Sequence, residues 1–170
     1  MKFHIAASSS GTMLDRSDRS SRGADLASHW TPSRESSRFA APRWYQVDVT
    51  GGAVNLAIPQ ATTWDPDGAN VINRFMPSLA LDRAGNMAMG YSTSSGTAFP
   101  SIKYAGRLAA DPVNTFSQTE QLFFTGTASQ TGTTRWGDYS ALTRDPHGCT
   151  SWYTSEYPNP VDQPFNPRSL

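Results

Sequence analysis

The chain has 170 residues, and its 14 Lys and Arg balance 14 Asp and Glu, so the formal net charge is zero. That balance lacks the basic excess of a nucleic-acid binder and the polybasic character of a protein drawn to anionic membrane surfaces. A single cysteine, Cys149, rules out an internal disulfide framework and a cysteine-built zinc site.

Helices are hard to place. The 13 Gly and 12 Pro interrupt them, and only three Glu and two Lys are present among the usual helix formers. The composition predicts short strands joined by turns. Residues 1–43 differ from the rest: between Ala7 and Arg43 lie ten Ser and six Arg with no sustained apolar period. They read as a poorly ordered N-terminal arm, with a short helix over Asp25–His29 or Arg34–Ala41 as the alternative. No apolar stretch follows Met1–Ala7, so no secretory signal is expected there.

From Trp44 to Tyr157 the pattern is that of a β domain. Trp44–Val49 and Ala53–Ile58 flank Thr50-Gly51-Gly52 and predict a hairpin. Trp64-Asp65-Pro66-Asp67-Gly68 is a loop signal. Pro77–Leu81 and Asn86–Ser92 flank Asp82-Arg83-Ala84-Gly85 as a second hairpin. Ser101–Arg107 and Thr119–Thr125 are two more strands, followed by the Gly/Ser/Thr-rich loop Gly126–Thr134. Asp138–Thr143 and Cys149–Thr154 form the last hairpin around Asp145-Pro146-His147-Gly148. Residues 158–170 hold four prolines and cannot continue a sheet interior.

Eight strands in sequence-adjacent pairs predict an antiparallel all-β fold. An internal repeat supports it: Leu79, Asp82, Gly85 and Ser92 recur 63 residues later as Leu142, Asp145, Gly148 and Ser155. In each turn the Asp is expected to accept backbone N–H bonds while Gly supplies a positive φ. Met89 and Trp152 are placed to cover the turns. Two four-stranded units of this kind suggest blades of a partial β-propeller. Such a unit leaves open edges, so the expectation is a homo-oligomer that completes the ring, or an open two-sheet assembly.

Two metal readings arise. Asp65, Asp67 and Asn70 cluster around Gly68 without EF-hand spacing, and a solvated turn is the simpler account. His147 and Asp145, joined by another carboxylate, could hold a divalent ion that activates water. No nucleotide loop or nucleophile elbow is present. The segment Arg135-Trp136-Gly137-Asp138-Tyr139 sits at a loop-to-strand junction, where polar side chains meet ligands or fasten neighbouring units. Exposed members of the set Trp44, Trp64, Trp136 and Trp152 could stack on sugar rings, while burial in the sheet interface is the default for most of them.

The stretch Asp145-Pro146-His147-Gly148-Cys149-Thr150-Ser151-Trp152 resembles the Ser-x-Asp-x-Gly-x-x-Trp Asp-box of the sialidase superfamily. It carries one extra residue between Asp and Gly and no Ser two before the Asp. Pro77–Ser95, Pro100–Arg107 and Arg135–Tyr157 also look like secreted bacterial sialidase-like propeller proteins. The resemblance implies an extracellular hydrolase or remnant hydrolase acting on a glycosidic, ester or phosphoester bond. The alternative is a non-catalytic carbohydrate- or surface-binding module, with a small molecule or glycan as ligand. The family clamps a substrate carboxylate with three Arg and uses a Glu-activated Tyr nucleophile and an Asp acid/base. By that resemblance Arg74, Arg107 and Arg135 would bind substrate, and Tyr153, Glu156 and Asp138 would be catalytic, with Glu120 the other Glu available to a Tyr. The family's Phe/Tyr-Arg-Ile-Pro motif is absent.

Overall fold

The structure, a computed structural model, describes residues 2–5, 24–30, 40–68, 71–130, 135–137, 139–147 and 150–158. It is all-β. Ten strands run in chain order: β1 (Lys2–Ile5), β2 (Ala24–Trp30), β3 (Pro42–Asp48), β4 (Asn55–Thr63), β5 (Asn73–Leu81), β6 (Met87–Ser95), β7 (Ala98–Arg107), β8 (Gln118–Phe124), β9 (Ala141–Arg144) and β10 (Thr150–Thr154). No α-helix occurs among the described residues, and so none is long and apolar enough to cross a membrane. Three sheets result, ordered β2-β3-β4, β5-β6-β7-β8 and β1-β10-β9, with no closed barrel. All pairings are antiparallel except β1 with β10.

The expected strands are present, and three extend past a proline; in β7 it is Pro100, beside a register shift with β6 between Thr93 and Ser95. Pro59 lies in β4, where the register with β3 shifts between Gln46 and Asp48. Pro77 lies in β5, where the register shifts between Phe75 and Ser78 and Met76 takes φ 51°. Pro59 and Pro77 therefore sit at irregularities on outer strands, and Pro100 at an irregularity near the start of β7, the places where a missing N–H is tolerated. Of the N-terminal arm, β1 and β2 are described; β2 covers the segment 25–29 as a strand rather than a helix, paired in register from Ala24↔Asp48 to Trp30↔Pro42. Residues 40–43 of the arm are described as well, the last two opening β3; residues 1, 6–23 and 31–39 and all but the first residue of the 158–170 tail lie outside the described residues.

The four-stranded sheet is the middle layer, and β6 is its centre, buried from Met87 through Thr93. Period-two alternation sends Met87, Met89 and Tyr91 to one face, where they pack with Trp44 of β3, Ala105 and Phe116. On the other face Ala88 and Ile102 meet Leu142 of β9 and Tyr153 of β10. A strand buried on both faces needs a partner sheet on each side, and the two three-stranded sheets provide them. Met89 is thus core, not a turn cover.

The first repeated turn is built as expected. Ala84 N–H and Asn86 N–H donate to Asp82 Oδ1 at 2.8 and 2.9 Å, and Asn86 Nδ2 donates to Oδ2 at 2.8 Å. Gly85 closes the turn at φ +84°. In the second, His147 N–H donates to Asp145 Oδ1 at 2.9 Å and the Trp152 indole donates to Oδ2 at 3.2 Å. The second turn is one residue longer: Asp145 N–H reaches Thr150 O, whereas Asp82 N–H reaches Asn86 O. Gly148 lies outside the described residues. The two units touch directly, through Arg83 Nη2 donating to Pro146 O at 3.0 Å and the Ser92 and Ser155 hydroxyls 3.3 Å apart.

Candidate functional site

Two polar regions stand out, one interior and one open. The interior one is built around Arg74 of β5, which is 1% exposed. Its Nε donates to Glu120 Oε1 at 2.8 Å, and Nη2 donates to Asp67 Oδ2 at 2.8 Å and Glu120 Oε2 at 3.3 Å. Nη1 faces Asp65 Oδ1 at 3.4 Å. Glu120 of β8 also accepts from Lys103 Nζ at 2.6 Å and from the Tyr91 hydroxyl at 2.7 Å, while the Trp64 indole donates to that hydroxyl at 2.8 Å. The loop after β4, then β5, β6, β7 and β8, are all tied through one guanidinium and one carboxylate.

This is a Tyr–Glu–Arg grouping of the kind the resemblance calls for; Arg74 and Glu120 are among the residues expected for it, and Tyr91 is not. Its electrostatics make it structural. Burial would raise the Glu120 pKa, but hydrogen bonds from Arg74, Lys103 and Tyr91 outweigh it and hold the carboxyl at about 2. Burial, then the Glu120 charge, pushes the Tyr91 phenol well above its ordinary value. Burial would lower the Arg74 pKa, yet its Glu120 and Asp67 bonds keep it raised. A nucleophilic Tyr needs a base able to take its proton and a path to substrate. Glu120 is too weak a base, and Tyr91 is fully buried. Arg74 has its donors engaged by protein acceptors, so it holds the fold and not a ligand.

The folded-state pKa of Glu120 lies below the ordinary 4.5, so its stabilisation is complete above about pH 4.5 and is lost as pH falls toward 2. Urea midpoints measured from neutral pH down to pH 2 will show that acid limb in the parent chain. Glu120→Gln will be less stable at neutral pH, and its curve will be flatter across the same window.

The open region is a cleft of about 280 Å³ lined by Ser94, Ser95, Ala98, Pro100, Ser129, Gln130, Arg135 and Trp136. The end of β6, the start of β7 and the loop after β8 form it. Trp136 is held edge-on against Phe75 of β5, centroids 5.5 Å apart at 83°. The Gln130 amide donates to the Arg135 carbonyl, fixing the loop on itself. Behind the cleft, Gly137 N–H donates to Glu156; burial lifts that carboxyl above its ordinary value against the pull of the hydrogen bond.

The other expected site residues do not gather here. Arg107 is 4% exposed and its Nη2 donates to the carbonyls of Asp111 at 2.6 Å and Pro112 at 3.4 Å, bracing the turn after β7. Arg74 and Arg107 are thus held by different protein acceptors, Arg74 by carboxylates and Arg107 by backbone carbonyls. Tyr153 is 2% exposed, and burial drives its phenol up to about 12; Ser155 and Ser140 face the hydroxyl without a well-formed bond. That placement suits packing, not nucleophilic attack. Asp138 lies outside the described residues. The metal readings fare no better: Asp65 and Asp67 are turned onto Arg74, Asn70 lies outside the described residues, and Asp145 is bonded to His147 N–H and Trp152. Among the described residues no group of three His, Cys, Asp or Glu could hold a metal ion.

Tyr91 and Lys103 were not identified from sequence. Their only signal was Glu120, the sole charge in Gln118–Phe124, which needs cationic partners once that strand joins a sheet. No protein-family model, curated protein or solved structure matches the chain.

Proposed function

We propose that the chain is a non-catalytic carbohydrate-binding module on a sialidase-like scaffold of propeller blades, belonging to a secreted protein. The observation that carries the binding reading is the cleft between β6, β7 and the loop after β8. Ser94, Ser95, Ser129, Gln130, Arg135 and Trp136 line one concavity. An aromatic ring beside several hydrogen-bonding groups suits the apolar ring face and hydroxyl rim of a sugar. The blade reading is supported by the four-stranded meander packed face to face between two further sheets, and by the repeated Asp turns. The interior Tyr91–Glu120–Arg74 cluster speaks against hydrolysis through a Tyr nucleophile, because it is closed to substrate.

The test is glycan binding by calorimetry, beside turnover of chromogenic glycosides and phosphoesters. Saturable binding without turnover is expected. Ala98→Trp fills the cleft while removing no contact and should weaken binding by about tenfold or more. Arg135→Ala should weaken it to a lesser degree. Turnover, or unchanged affinity in Ala98→Trp, overturns the reading.

A further inference from the structure

We infer that Glu156 is a positioning residue for the cleft: its carboxyl group holds the 135–137 stretch by the Gly137 N–H and so sets where the Trp136 indole stands. This role serves the sugar site proposed above and rests on that reading; the geometry stands without it.

Trp136 is the aromatic side chain of the cleft lining, and it belongs to no strand. A side chain on a loop keeps a fixed place only where other parts of the chain hold the backbone beside it. Phe75 of β5 meets the indole edge-on, centroids 5.5 Å apart, and the Ser140 hydroxyl donates to Met76 O at 2.6 Å further along the chain. An edge-on ring contact limits approach but permits sliding, whereas a hydrogen bond to a carboxyl group is directional. The residue next to the indole is Gly137, and its N–H donates to Glu156.

Glu156 is built as a fixed post. Ser155, just before it, is 1% exposed, with its hydroxyl 3.3 Å from that of Ser92 in β6. Tyr157, just after it, rests its ring on Phe124 of β8 at 4.1 Å between centroids. The chain is thus pinned to the middle sheet on both sides of Glu156, and the carboxyl group reaches the loop from an anchored backbone. That half-buried group gains a donor in return, which offsets its loss of water. The approach is close enough to exclude a side chain at position 137: a Cβ there would stand 2.8 Å from Glu156 Cδ and 2.9 Å from Glu156 Cβ. Gly137 does not take a positive φ, so closeness to Glu156 and not backbone freedom is what requires glycine there.

Acrylamide quenching of Trp136, taken as the difference between each chain and its Trp136→Phe counterpart, reads the indole's position with no ligand present. Glu156→Ala and Glu156→Met should each raise that quenching about twofold or more, since neither supplies an acceptor. Glu156→Gln should match the parent, because its amide oxygen accepts the same N–H. Gly137→Ala should raise quenching too, and by less in the Glu156→Ala background, where most of what the added methyl meets is gone. Where the parent binds glycan, Glu156→Met should weaken affinity about fivefold and Glu156→Gln should not. Unchanged quenching in Glu156→Ala and Glu156→Met, or a Glu156→Gln chain that quenches as they do, overturns the inference. A parent that binds no glycan overturns the binding reading instead, and the quenching result still decides the role of Glu156.

Discussion

Arg74→Met will lower the unfolding free energy by about 3 kcal/mol, read from urea midpoints at unchanged slope. The size follows from where the charge sits. Arg74 is 1% exposed, and Glu120 is 14% exposed, so removing the guanidinium leaves a carboxylate largely out of water with Lys103 as its one remaining cation. Asp65 and Asp67, at 27% and 34% exposure, turn to solvent at little cost. The loss is therefore concentrated on Glu120 and on the tie between the loop after β4 and the middle sheet. Arg74→Lys keeps the charge but not the fork that reaches Asp67 and both Glu120 oxygens, and should fall between parent and Met variant. Adding Glu120→Met to Arg74→Met removes the stranded carboxylate and should recover part of the loss. The single variant should also move the acid limb to higher pH, since Glu120 loses its strongest donor. A change under about 0.5 kcal/mol would show that the cluster behaves like an exposed ion pair.

The parts of this fold legible in sequence were those fixed by local chemistry. Asp82 and Gly85 specify a turn by themselves, and the alternation of Met87, Met89 and Tyr91 specifies one face of a strand. Strand ends at Pro59, Pro77 and Pro100 differ from the sequence pattern because a proline reads as a stop, whereas the register shifts accommodating it depend on the partner strand. Residues 24–30 read as arm or helix because their strand character comes from pairing with β3 and not from their own pattern. The geometry around Arg74 was hidden for a related reason. Arg74, Tyr91 and Glu120 are brought together across β5, β6, β7 and β8, separations for which sequence carries no marker. The expected catalytic Tyr153 and clamp residue Arg107 were chosen by residue type, and residue type does not distinguish a buried brace from an exposed ligand contact. The cleft is assembled from the ends of β6 and β7 and a loop with no motif, so only Arg135 and Trp136 were singled out beforehand.

Gly90→Ala is expected to be the most damaging single-methyl change in the β5–β8 sheet. Gly90 lies in the fully buried part of β6, and a Cβ there would stand 2.6 to 2.8 Å from ring atoms of Tyr153 in β10. The ring rests on the glycine backbone, and this contact lets the β1-β10-β9 sheet lie close against the middle sheet. Tyr153 is 2% exposed and hemmed in by Ala88, Ile102 and Leu142, so it has nowhere to swing. Overpacking of this kind costs about 1–3 kcal/mol, with the two sheets forced apart locally. Tyr153→Leu alone should also destabilise, by leaving space beside Gly90. Combined with Gly90→Ala it should cost less than the sum of the two, because the added methyl fills part of what the ring vacates; a double-mutant cycle measures that coupling. Tyr153→Phe should be close to neutral, since the hydroxyl it removes makes no well-formed bond to Ser140 or Ser155. Additivity in the cycle would mean that Gly90 acts on the backbone of β6 alone, and the close approach of the two sheets would then have to rest on the Ser78–Leu142 and Ser92–Ser155 contacts.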